Sequence, residues 1–66
     1  MKDRERIANR WWYSTEFRIM EAITGLRQSQ FNPSDGSQAF VDACDSYWEN
    51  LTAAEKITLH HEYQSF

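Results

Sequence analysis

Sixty-six residues, a net charge of −3, ten aromatic side chains and a single cysteine exclude several classes at once. A chain this short makes one domain, read here as a helical unit over 1–66, and burying only ~60% of its unfolded surface leaves little room for a catalytic scaffold with cofactor and substrate sites. Cys44 has no intrachain disulfide partner, no run approaches the ~18 apolar residues of a membrane helix, and the charged start through Arg6 enters no signal-like hydrophobic run, so the chain reads as soluble and cytoplasmic.

The first segment, about 2–28, contains no proline, and its one glycine is Gly25. Ala8, Trp12, Thr15, Ile19, Ala22 and Leu26 alternate steps of four and three, the signature of one face of an amphipathic helix. Tyr13, Phe17 and Met20 form a second ridge beside it. The spacing predicts a single long helix whose apolar arc is wider than one neighbouring helix would cover, with Gly25 weakening its last turn.

Residues 29–36 are turn chemistry: Asn32 before Pro33 is biased away from helix, and Ser34-Asp35-Gly36 favours a turn. Phe31 within this loop is expected to fold back onto the core. A second helix over about 37–50 follows, with Ser34, Asp35 or Ser37 as its N-cap and Phe40, Cys44, Tyr47, Trp48 and Leu51 as its apolar stripe. Thr52-Ala53-Ala54-Glu55 is a capping box that opens a third helix over about 53–65, so Asn50-Leu51 is a tight corner. Ile57, Leu59, His60, His61, Tyr63 and Phe66 complete that last helix. The expected fold is all-α: a small three-helix domain with one long helix, a loop and two short helices.

Candidate chemistry is thin. Adjacent histidines such as His60 and His61 point about 100° apart on a helix, and no HExxH or CxxC spacing accompanies them, so no metal is expected. Cys44 lies on the apolar stripe between Phe40 and Trp48, where cysteine behaves as a small hydrophobe rather than a nucleophile. No catalytic residue and no cofactor are called, and the chain is read as a non-enzyme. Asn50-Leu51-Thr52 matches a glycosylation sequon, but Thr52 already has its capping role.

Charge divides along the chain. Residues 1–28 carry six basic and four acidic side chains, whereas 29–66 carry Lys56 against six acids. Such polarity suits docking on an oppositely charged partner or a second copy, and equally suits packing of the basic helix on the acidic pair. Arg4, Arg6 and Arg10 followed by Trp11-Trp12-Tyr13 also combine phosphate-binding charge with rings able to stack on bases. The last helix, placed where a recognition helix would be, is acidic and offers only Lys56. Nucleic-acid binding through the basic first helix is therefore the second reading.

Trp11, Trp12 and Tyr13 span some 200° of a helix and cannot all face one core. At least one is expected at the surface, where Trp and Tyr are enriched in binding hot spots. Trp11, Tyr13, Phe17 and Met20, oriented by Arg6, Arg10 and Arg18, are the candidate protein-binding face. The run Trp48-x-x-Leu51-x-x-x-Glu55-Lys56, under a third of the chain, resembles segments of small bacteriophage and mobile-element proteins. That resemblance transfers no functional residue; it implies a short accessory protein that binds a host protein or defence complex and modulates or inhibits it. The resulting expectation is a protein-binding module, with homodimerisation as a further possibility and no membrane partner.

Overall fold

The periodicity over residues 2–28 resolves into two helices rather than one. In the computed structural model, which describes residues 2–65, α1 spans Lys2–Trp12 and α2 spans Phe17–Thr24. Ser14 interrupts the ladder: its hydroxyl donates to the carbonyls of Arg10 (3.1 Å) and Trp11 (3.2 Å). Its own N–H and that of Thr15 bond three residues back, to Trp11 and Trp12. Side-chain hydroxyls that compete for backbone carbonyls favour such an ending over a continued helix. Glu16 is extended and accepts from the Ile19 and Met20 N–H groups, restarting the helix in a new phase. The phase change explains two departures from the expected stripe: Met20 turns inward, and Ala22 is exposed.

Gly25 ends α2. It adopts φ 79°, and its N–H bonds the Glu21 carbonyl at 2.9 Å. A left-handed residue at this position is the usual glycine stop, so the helix closes four residues before the expected boundary at 28. Two 3₁₀ turns follow, at Gln28–Gln30 and Pro33–Asp35. The Glu21 carboxylate ties the loop back by accepting from the Gln28 N–H at 2.8 Å. Phe31 is half-buried against Phe40, with ring centroids 5.9 Å apart, so the loop does return to the core.

Helix α3 spans Gln38–Glu49, and α4 spans Ala53–Tyr63. Of the three candidate caps for α3, Asp35 does the work: its carboxylate accepts from the N–H groups of Gln38 (3.2 Å) and Ala39 (2.9 Å). The corner at 50–51 and the capping box are as expected, with Glu55 N–H on the Thr52 hydroxyl (3.1 Å) and Thr52 N–H on the Glu55 carboxylate (2.9 Å). Among the described residues the fold is all-helical with four α-helices, one more than the sequence pattern suggested. Phe66, assigned to the last helix by its pattern, lies outside the described residues.

The core is Ala8 and Trp12 of α1, Met20 of α2, and Phe40, Cys44 and Trp48 of α3. Its centre is a stacked tryptophan pair: the Trp12 and Trp48 rings are 4.6 Å apart and 7° from parallel. Each indole N–H has a partner, Trp12 on the Asp45 carboxylate (2.9 Å) and Trp48 on the Asn9 side-chain oxygen (2.8 Å). Both rings are thus enclosed without stranding a donor. Tyr47, expected on the core stripe, is instead 42% exposed. It lines a shallow groove with Leu51 at the corner and Leu59 of α4.

Helix α4 buries no residue fully. Its inner contacts include Leu59 against the core, a His60 ring 5.2 Å from Trp11 and a Lys56 ammonium 6.0 Å from the Trp48 ring centre. A helix held by half-buried side chains depends heavily on its cap. Thr52→Ala is expected to lower global stability by about 1 kcal/mol in urea unfolding. The capping box also carries a pH dependence. The Glu55 carboxyl is held below its usual range by the Thr52 backbone N–H and then by the Thr52 hydroxyl. A depressed carboxyl stabilises above its unfolded value, about 4.3, and that contribution is lost as pH falls through the folded value. Wild-type stability should therefore fall on acidification through this window more steeply than that of Glu55→Gln; equal slopes would contradict the assignment.

Candidate protein-binding surface

The break between α1 and α2 separates the seven residues proposed to form one face. Arg6, Arg10 and Tyr13 stand at i, i+4 and i+7, so they share the outer face of α1, and all three are exposed. Tyr13, at the end of that face, is 58% exposed and is the most open of the large hydrophobic side chains among the described residues. Its hydroxyl donates to Glu49 of α3 at 3.4 Å. Partial burial, then the charges of Glu49 and Asp45, push the Tyr13 hydroxyl above its ordinary value, so it stays protonated and able to donate.

The other expected members go elsewhere. Met20 is 5% exposed and belongs to the core, a correction that follows from the phase change at Glu16. Trp11 is half-buried, its ring 6.1 Å from Trp48 and packed on His60. Phe17 is 37% exposed, but one edge is committed to Phe40 at 5.4 Å. Arg18 reaches back to Glu16 at 2.8 Å, on the α2 side of the break. The surface that remains has Tyr13 at its centre, Arg6 and Arg10 along α1, the open edge of Phe17 beyond the break, and Glu49 of α3 beside it. The acidic border was missed in the sequence because it comes from a residue 36 positions away.

Two further exposed apolar side chains were also missed. Ile7 is 52% exposed on the wall of a groove between α1 and α4, and Tyr47 flanks the groove between α3 and α4. The signal for Ile7 was present: it falls off the Ala8–Trp12 stripe, on the Arg4–Trp11 side of the helix.

For the alternative reading, the rings matter more than the charges. Trp12 is fully enclosed and Trp11 is packed inward, so neither indole is presented for stacking on a base. Among the described residues no group of three His, Cys, Asp or Glu side chains is placed to hold a metal ion. Cys44 is buried, and burial pushes its thiol up, with the Thr24 hydroxyl at 3.8 Å acting weakly the other way. A thiol so placed is a poor nucleophile. No described helix is long and apolar enough to cross a membrane. Comparison with protein-family models, curated proteins and solved structures gives no match.

Proposed function

We propose that this chain is a non-enzymatic protein-binding module that docks through the Tyr13 face. The observation that carries the reading is Tyr13 itself: a large amphipathic ring, more than half exposed, anchored by Glu49 and aligned with Arg6 and Arg10. A ring tethered at its hydroxyl loses less freedom on docking than an untethered one, which favours affinity. Phe17 supplies a second apolar edge, and the arginines set orientation by charge. The partner is a protein with an apolar slot for the ring and acidic groups facing α1. The resemblance of Trp48–Lys56 to phage and mobile-element segments supports placing the module among accessory proteins that modulate a host protein or defence complex.

The test uses Tyr13→Ala and the pair Arg6→Glu/Arg10→Glu, which sit on an exposed face. A partner recovered with the wild type and then purified should bind it directly, and lose at least ~30-fold in affinity with Tyr13→Ala. Circular dichroism should show the same helical content in all variants. A partner that binds the Tyr13→Ala chain as tightly as the wild type removes this surface from the proposal.

A further inference from the structure

We propose that two copies of the chain pair face to face, Ile7 of each seating in the α3–α4 groove of the other. This surface shares Arg10 with the edge of the Tyr13 face, but its knob, Ile7, and its groove lie elsewhere and do not involve Tyr13. The two grooves flank the same helix: Thr58 and Glu62 line both, so the outer ridge of α4 divides them. On one side stands the wall of α1, with Ile7 between the exposed side chains of Arg4 and Arg10. On the other lies a groove of Tyr47, Leu51 and Leu59, edged by Glu55 and Glu62 and containing no basic residue. The chain therefore carries both an apolar knob flanked by arginines and an apolar groove flanked by carboxylates.

The spacing matches as well as the sign. Arg4 and Arg10 are six residues apart, about 9 Å along α1, and Glu55 and Glu62 are seven apart, about 10.5 Å along α4. Trp11 meets His60 while Arg4 shares its groove with Glu62 and Gln64, so α1 and α4 run antiparallel. A two-fold axis parallel to α4 preserves height along that helix and exchanges its two sides. It brings Arg4 opposite the second copy's Glu62, brings Arg10 toward its Glu55, and makes the same contacts again in the reverse sense. The contact is then isologous and closes as a dimer instead of propagating as a filament. Helix-in-groove docking of this kind draws affinity from the apolar knob, while the charges fix register.

Sedimentation velocity of the full chain from about 1 μM to about 500 μM should show a monomer–dimer equilibrium, the range expected of a small interface. Arg4→Glu alone and Glu62→Arg alone should each weaken it by about 100-fold, because each sets like charges opposite one another twice. Mixing the two variants in equal amounts should restore the dimer, since a mixed pair has opposite charges at both contacts. Ile7→Asp, at an exposed position, should give a folded monomer. A wild type that stays monomeric throughout, a dimer indifferent to Arg4→Glu, or a mixture that fails to reassociate would each overturn the proposal. Tyr13→Ala should leave the dimer intact, so failure of either proposal can be told from failure of the other.

Discussion

Trp48→Ala is expected to unfold the protein. Removal of a fully enclosed tryptophan removes about 3–5 kcal/mol. At about 0.05–0.15 kcal/mol per residue, a chain of this length has roughly 3–10 kcal/mol in total. The position also joins more of the molecule than its own helix. Trp48 stacks on Trp12, donates to Asn9, tilts against Trp11 and lies beneath Lys56, so α1, α3 and α4 all lose a contact together. Truncation would leave the Trp12 ring facing a void and the half-buried Asn9 side chain without its donor. Urea unfolding followed by near-UV circular dichroism should show no cooperative transition at 25 °C, or one displaced far toward zero denaturant. Tyr47→Ala, one residue earlier and 42% exposed, is the control and should shift stability by no more than about 0.5 kcal/mol. A Trp48→Ala chain that unfolds at the wild-type midpoint would remove the stacked pair from the centre of the fold.

Much of this arrangement was legible in the sequence, for reasons that differ by element. The capping box at Thr52–Glu55 is local chemistry, complete within four residues, and needed no tertiary information, whereas the pattern marks Gly25 only as a weak point and it instead ends the helix outright. Phe40, Cys44 and Trp48 at steps of four marked the buried face of α3 correctly. The break at Ser14 was hidden because its hydroxyl bonds and the resumed apolar spacing after Glu16 leave a pattern nearly indistinguishable from a continuous helix. Once the phase changes there, Met20 and Ala22 exchange the roles that the unbroken period assigns them. Tyr47 illustrates a second limit. Periodicity tells which residues share a face, but where α4 settles decides which edge of that face is covered.

The binding surface was legible only in part for the same reason. That Trp11, Trp12 and Tyr13 cannot all face inward follows from helix geometry, and the structure selects Tyr13 as the one left out. The sequence offers no means of choosing, because Trp11 is retained by His60 and Trp48, residues 49 and 37 positions away. Half-buried contacts of Lys56 over Trp48 and of His60 beside Trp11, with Leu59 against the core, let α4 dock without a fully buried side chain of its own. They also leave its outer ridge with a groove on either side, which is the surface used in the proposed dimer.

Phe40→Ala is the companion to Trp48→Ala and separates the two ends of the molecule. Both residues lie on the buried face of α3, eight positions and about 12 Å apart along the helix. Phe40 receives Phe17 of α2 edge-on at 5.4 Å and Phe31 of the loop edge-on at 5.9 Å. Its truncation should remove about 3–5 kcal/mol, part of it as edge-to-face contact worth about 0.5–1.5 kcal/mol per pair beyond the buried area. The loss should fall first on elements anchored there. Under mildly stabilising conditions, with sulfate or sucrose to keep the chain folded, amide exchange should accelerate over residues 17–37. The tryptophan near-UV signal should persist, because Trp12 and Trp48 stack on each other while Phe40 pairs with Phe17 and Phe31. Phe40→Leu, which keeps most of the volume but loses both ring contacts, should cost less than Phe40→Ala and quicken exchange less. If Phe40→Ala instead quickens exchange equally in α1, α2 and α4, the two aromatic clusters act as one cooperative core, and α3 is a part of it rather than the strut between them.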